Sequence, residues 1–300
     1  MIGWPIPWKA PPVSPLPPDN HVHTEWSWDA VAGSMERSCA EAVRLGLPSV
    51  AFTEHVDASR WVLAPEVRDL MPASVVGSDG RFSPVPLDIE GYLACVQRCR
   101  DRFRGLQILS GVELGEPHWF ADGSAALLAT GEFDRVLGSL HSLEIDGELW
   151  LVDHLYMAGA PDGVTPEGIV RAYLGETLRM VESSDVFQVL AHIDYPVRLW
   201  GAGMPFDPWD FQDEYRAVLR ALAGSGRALE VNTRLRFRPE IVRWWYEEGG
   251  GAVSFGSDAH QPDQVAHGFA AAAAMVEAHG FHRGHGPNDF WFRSASTSRS

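Results

Sequence analysis

Three short histidine motifs lie far apart in this chain: His21-Val22-His23, Thr53-Glu54-His55 and Asp258-Ala259-His260. Each follows a short apolar run that reads as a β-strand. Glu113, His141 and His192 close similar runs between them. One His-x-His pair says little. Metal-ligand residue types at the ends of almost every predicted strand require those ends to converge. Parallel α/β folds are the architectures that gather functional groups at the carboxyl ends of their strands.

The rest of the chain alternates accordingly. Strands are expected near 17–21, 48–52, 106–112, 133–140, 186–191, 227–231 and 251–255. Helices are expected near 34–45, 88–103, 124–129, 165–182, 207–222, 239–248 and 263–278, with Ser34, Asp88 and Thr165-Pro166 as start signals and Gly46 as a stop. Seven strands with helices between them predict an α/β barrel close to the eightfold kind. Residues 19–300 form one domain in this reading, and the Pro- and Trp-rich residues 1–18 form an extended arm. Two long connections, 58–87 and 142–164, leave from the histidine end, and both are expected to wall a pocket there.

The net charge of −16 disfavours nucleic acid and anionic membranes as partners. It would also repel a phosphorylated metabolite unless the site carried its own positive charge, which three divalent ions would supply. No apolar stretch reaches the length of a membrane span, and the N-terminus lacks the basic start and apolar core of a signal peptide. Cys39, Cys95 and Cys99 are too few and too odd for a disulfide framework. They suggest a reducing compartment, and the cytoplasm is the expected location.

On an extended segment alternate side chains point the same way, so His21 and His23 can reach one metal, and Asp258 and His260 share that spacing. Glu113 could bridge two cations, which a neutral imidazole cannot do. A lone histidine after an apolar run, such as His141 or His192, is more often a satisfied core group, and Asp29 could equally cap a turn. Nitrogen and oxygen ligands without thiolate suit Zn, Mn or Fe. An open site of this kind usually makes hydroxide and clamps an anion.

The chain resembles the polymerase-and-histidinol-phosphatase (PHP) family. The resemblance rests on Asp19-Asn-His-Val-His23, Thr53-Glu-His55, Gly111-Val-Glu113, Gly138-Ser-Leu-His141, Ala191-His-Ile-Asp194, Glu230-Val-Asn-Thr233 and Gly256-Ser-Asp-Ala-His260, which occur in family order. It implies a distorted (β/α)7 barrel with three metal ions at the C-terminal ends of the strands. One ion would take His21, His23, Glu113 and Asp258. A second would take Glu113, His141 and His192, and a third Asp29, His55 and His260. The implied activity is hydrolysis of a small phosphomonoester by a metal-bridging hydroxide, as in histidinol-phosphate phosphatases. Glu113, His141, Asp258 and Arg198 are then the catalytic candidates. Arg198, Arg234 and Arg236 follow strands on the correct side to hold the phosphate bidentately. Asp194, His154 and His267 are unranked candidates for the acid that protonates the leaving group.

Two departures bear on the substrate. Glu54 stands where many family members have Asp, and Arg234-Leu235 follows the Asn-Thr pair where small residues and glycine are usual. Histidinol phosphate fits, and another small phosphomonoester, such as a sugar or nucleoside phosphate, fits nearly as well. The alternatives are a phosphodiesterase or exonuclease of the same family and a non-catalytic, metal-binding regulatory barrel. The acidic charge argues against the first and the intact ligand set against the second.

Overall fold

The computed structural model describes residues 16–68, 75–131, 133–157, 160–200 and 205–294. Most of the arm expected over 1–18 lies outside them. Where it enters, the Leu16 carbonyl accepts a hydrogen bond from Arg283 at 3.1 Å.

The chain alternates strand and helix as its hydropathy demands. It begins with β1 (Asp19–Val22), α1 (Met35–Leu45) and β2 (Ser49–Val56). An excursion follows, comprising β3 (Trp61–Val62), α2 (Pro65–Arg68) and β4 (Arg81–Phe82). Then come α3 (Ile89–Arg102), β5 (Gln107–Gly115), α4 (Ala121–Leu128) and β6 (Arg135–Ser139). A second excursion is the hairpin β7 (Ser142–Ile145) and β8 (Glu148–Leu151), closed by a 3-10 turn, Val152–Tyr156. The remainder is α5 (Pro166–Ser183), β9 (Val189–Leu190), α6 (Gln212–Ser225), β10 (Ala228–Asn232), α7 (Pro239–Glu247), β11 (Ala252–Gly256), α8 (Phe269–Ala278), β12 (Phe281–Arg283) and β13 (Trp291–Arg293).

The expected caps form. Ser34, Asp88 and Thr165 accept from Arg37, Gly91 and Gly168 backbone N–H groups, and Gly46 ends α1 at φ 72°, a left-handed conformation that glycine adopts without steric cost.

Nine strands make one curled sheet in the order β1-β2-β5-β6-β9-β10-β11-β13-β12. The first seven run parallel in chain order, with helices as crossovers, and β12 and β13 add antiparallel strands at the end. β6, β10 and β11 are buried along their whole length, as strands covered on both faces must be. Beyond β11 the chain returns to β1: Asp258 N–H donates to the His21 carbonyl and His23 N–H to the Ala259 carbonyl, each at 2.8 Å.

Three expectations need correction. The strand near 186–191 is regular only over Val189–Leu190. The connections 58–87 and 142–164, for which no strand was expected, carry β4, β3, β8 and β7, which pair into a second, four-stranded sheet. Their strands are short and pair across distant sequence, so no local period marks them. The hairpin of β12 and β13 is also additional to the seven strands read from the sequence. It covers the edge of β11, and Trp291 packs edge-on against Phe255.

Candidate metal centre

Eight of the nine expected ligands sit at or just past the carboxyl end of a parallel strand, and Asp29 lies in the loop after β1. His21 and His23 sit at the exit of β1, His55 near the end of β2, Glu113 near the end of β5, and His141 and His192 just past β6 and β9. Asp258 and His260 follow β11. Asp258 adopts φ 54° and Glu116, beside the site, φ 47°. Non-glycine residues held there are costly, and such strain concentrates at functional sites.

Glu113 is the crossing point. It is fully buried, and its carboxylate lies 2.7 Å from His192 Nε2, 3.4 Å from His141 Nε2 and 3.3 Å from both His21 Nε2 and His23 Nε2. His55 Nδ1 is 3.0 Å from the same group. On one side, Asp258 Oδ1 is 3.5 Å from His23 Nε2 and 3.9 Å from His21 Nε2. On the other, Asp29 Oδ2 is 3.0 Å from His260 Nε2 and 3.4 Å from His55 Nε2. All nine residues named as ligands from the sequence are therefore brought together.

Outer groups explain why the Nε2 atoms face inward. His21 Nδ1 pairs with Glu230 at 2.7 Å, and His141 Nδ1 with Asp57 at 2.9 Å. His23 Nδ1 pairs with Ser27 Oγ at 3.0 Å, and Ser27 donates to Glu54 at 2.6 Å. Glu116 accepts the His141 and Ser142 backbone N–H groups at 2.6 and 2.8 Å. Such partners fix the ring orientation of metal-bound histidine. Sequence reading assigned none of these carboxylates a role. Glu230 and Glu54 stand inside the quoted motifs, and of the two only Glu54 adjoins a histidine in sequence. Glu54 fills the place of the expected Asp and satisfies Thr24 as well as Ser27.

The electrostatics are those of a site short of positive charge. Burial opposes ionisation of Glu113, yet His21, His141 and His55 hold it well below the usual carboxylate range. Burial likewise disfavours charge on His21, but Glu230, Glu113 and Asp258 push it well above an ordinary histidine. His55 and His141 are raised in the same way, against burial, by Asp29 with Glu113 and by Asp57 with Glu113. Burial, with His55 and His260 nearby, lowers His23 to about 4.

These residues fit divalent cations. His21 Nε2 and His23 Nε2 lie 3.0 Å apart, close enough for both to reach one ion. Glu113 Oε2, Asp29 Oδ1 and His55 Nδ1 are shut off from solvent and have no hydrogen-bond partner among the described residues. Four groups of three ligand-type residues have donor atoms within 4.8 Å of one another: His23, His55 and His260; His21, Glu113 and His192; His21, His23 and Asp258; and His55, Asp57 and His141. Nitrogen and oxygen donors without thiolate are the set that Zn, Mn and Fe accept.

A cavity of about 500 Å³ opens onto the cluster. Its outer wall comes partly from the second sheet and its turn, as Trp61, Leu151, Asp153 and His154, with Trp28 beside them. Both long connections thus wall the pocket. Trp61 stacks on Phe82 at 5.7 Å and donates through Nε1 to Ser142 Oγ at 2.6 Å, which ties the small sheet to the residue after His141.

The arginines divide. Arg198 lies over the Tyr195 ring at 4.5 Å, pairs with Asp258 and lines the cavity. Arg234 lines it too, 2.7 Å from His260 Nδ1. Arg236 faces a neighbouring cavity with Asp194, Trp200 and Phe237. The turn after Thr233 carries it away from the metal end. Of the three acid candidates, His154 lines the site, whereas Asp194 and His267 line other cavities.

Among the described residues no helix is long and apolar enough to cross a membrane. Cys39, Cys95 and Cys99 are buried free thiols, as expected.

Comparison with known proteins agrees with this geometry. A family model described as the PHP domain matches residues 19–234. The histidinol-phosphatase of Lactococcus lactis subsp. lactis is 25% identical over 88% of this chain and 91% of its own length. A protein named probable histidinol-phosphatase from Clostridium acetobutylicum is 26% identical over 86% of this chain and 92% of its own. The crystal structure of the Lactococcus lactis histidinol phosphate phosphatase, complexed with zinc, L-histidinol and phosphate, superposes with a TM-score of 0.73 at 23% identity, covering 91% of this chain and 98% of that one. The seven motifs, their convergence and the family match lead to one conclusion: this chain belongs to the PHP family.

Proposed function

We propose that this protein is a metal-dependent phosphomonoesterase whose substrate is histidinol phosphate or a small phosphorylated metabolite of similar size. The observation that carries the reading is Glu113, buried where five imidazoles meet, with the two aspartates Asp258 and Asp29 on either side. Three divalent cations, Zn, Mn or Fe, would be held by His21, His23, Glu113 and Asp258; by Glu113, His141 and His192; and by Asp29, His55 and His260. When bound, such ions lower the pKa of water and offset the charge that grows on phosphate oxygens.

The chain's own residues do the rest. Glu230, Asp57 and Ser27 hold their histidines in one orientation, so the donor set is organised before substrate arrives. Arg198 and Arg234 line the cavity, where their guanidinium groups would meet the remaining phosphate oxygens. Trp28 and Trp61 narrow the approach and shed water. The relatives named histidinol-phosphatase, and the one solved with histidinol and phosphate, support this substrate class. The seven parallel strands, joined through residues 21–23 and 258–259, support a distorted (β/α)7 barrel over residues 19–300 as one domain. The three buried free thiols fit a reducing compartment such as the cytoplasm.

The test is release of inorganic phosphate with Mn or Zn from histidinol phosphate, p-nitrophenyl phosphate, a panel of sugar and nucleoside phosphates, and an oligonucleotide. Turnover of a monoester with the oligonucleotide left intact is expected. Cleavage of the oligonucleotide alone would select a phosphodiesterase. No turnover of any ester by the metal-loaded protein would select a binding role.

A further inference from the structure

The ester oxygen of an alkyl phosphate does not leave as a bare alkoxide at useful rates, and guanidinium groups do not give it a proton. Resting on the phosphomonoesterase reading above, we propose that Asp153 is the acid that protonates the leaving oxygen of the substrate.

Five titratable side chains outside the ligand set line the cavity: Asp153, His154, Tyr195, Arg198 and Arg234. Guanidinium groups do not release protons near neutral pH. Burial and the charges of Asp153 and Asp258 leave the Tyr195 phenol far above its ordinary range, against the lowering effect of Arg198. Burial lowers His154, so it is neutral and its remaining N–H is a feeble acid. Its Nδ1 is turned toward the Ala64 N–H at 3.5 Å. Asp153 is left.

Its placement suits the task. The residue sits in the 3-10 turn after β8, and that turn is tied to the cluster because Val152 N–H donates to the His141 carbonyl at 2.9 Å. The Tyr195 hydroxyl donates to Asp153 Oδ2 at 3.3 Å. The Tyr195 ring in turn lies 4.9 Å from the His192 ring and 5.6 Å from that of His141. Asp153 Oδ1 is shut off from solvent and has no hydrogen-bond partner among the described residues. A protonated carboxyl would carry its hydrogen there. Burial raises the Asp153 carboxyl, against the lowering effect of Arg198. Buried catalytic acids are tuned upward in this way.

The step balances. The oxygen of an attacking water forms the new bond to phosphorus. The bond between phosphorus and the ester oxygen breaks, and its electron pair stays on that oxygen, which takes the proton of Asp153. One proton of the water stays on the hydrogen phosphate product. The other passes to solvent, from which Asp153 is reprotonated, so ester plus water gives alcohol plus hydrogen phosphate.

The experiment compares kcat/KM of the metal-loaded protein and its Asp153→Asn variant on three esters. Nitrophenolate leaves without a proton, so p-nitrophenyl phosphate should change less than ~10-fold, and that activity shows the variant is folded. Propyl phosphate and histidinol phosphate, both alkyl esters, should each lose at least ~10²-fold. Equal loss on all three, or no loss on the alkyl esters, would overturn the assignment. Loss confined to histidinol phosphate would also overturn it, since Asp153 would then bind the amine. A second measurement needs no variant: wild-type kcat/KM along a series of aryl and alkyl phosphates. A shallow dependence on leaving-group pKa is expected, and a steep one throughout would contradict a proton donor. Failure of the wild type on all three esters would instead remove the phosphomonoesterase reading itself.

Discussion

Asp57 Oδ1 lies 2.9 Å from His141 Nδ1, and the other oxygen of that carboxylate accepts from Trp28 Nε1 at 2.9 Å. One buried carboxylate therefore sets the ring orientation of a proposed ligand and fixes an aromatic wall of the pocket. Replacing Asp57 with Asn keeps the shape and removes the charge. Outer partners of this kind are worth about 10- to 100-fold in metal affinity or activity. Asp57→Asn should show that loss in a zinc or manganese titration, with little change in the circular dichroism spectrum. Wild-type affinity in the variant would deny Asp57 its orienting role.

The same relationship can be broken without altering a polar group. A Cβ on Gly115 would fall 2.1 Å from Asp57 Oδ1 and 3.5 Å from His141 Nδ1. Gly115→Ala should displace Asp57 and weaken metal binding much as Asp57→Asn does. Overpacking should add about 1–3 kcal/mol of destabilisation, readable by urea unfolding. An unchanged metal titration would show that Asp57 can move without consequence.

Glu113 tests the ligand set itself. It touches five imidazoles and accepts from Ser139 Oγ. Glu113→Ala should cut phosphate release by more than the ~100-fold ascribed to an outer partner, while the far-ultraviolet circular dichroism stays native. Substantial activity in this variant would contradict the proposed bridging role.

How much of this was legible depended on locality. His21, His23, His55, Glu113, His141, His192, Asp258 and His260 could be found because each ends or closely follows an apolar run, and parallel strands bring such ends together whatever their separation in sequence. Asp29 was found by its distance from His21 in a familiar motif. Asp57 and Glu116 were not found, since a single acid just past or near a strand looks like any surface acid until the fold buries it. The second sheet was invisible for a related reason: Val62 pairs with Trp150, 88 residues away, through strands too short to show a period. Arg236 stands close to Arg234 in sequence, but only Arg234 lines the cavity at the cluster.

The metal-free charge state predicts a pH dependence. His21, His55 and His141 have folded pKa values raised well above that of an unfolded histidine. Without metal they carry protons at neutral pH, and ligation must expel those protons. Apparent affinity for zinc should therefore rise with pH from 6 to 8, and calorimetry in buffers of different ionisation heat should show proton release on binding. For the metal-free fold the sign is opposite. The stability these histidines contribute is fully present below the unfolded value of about 6.5 and is lost as pH rises through their folded values. Affinity independent of pH across that window would contradict the assignment of these three as ligands.

The central claim is that these nine side chains hold cations that the reaction requires. Its most direct test is metal content per chain, measured alongside phosphate release from histidinol phosphate before chelation, after chelation and after reloading. The account predicts about three ions per chain, loss of activity with their removal and recovery on return of zinc or manganese. Full activity in a chain stripped of metal, or a loaded chain that binds no ion at these residues, would contradict it.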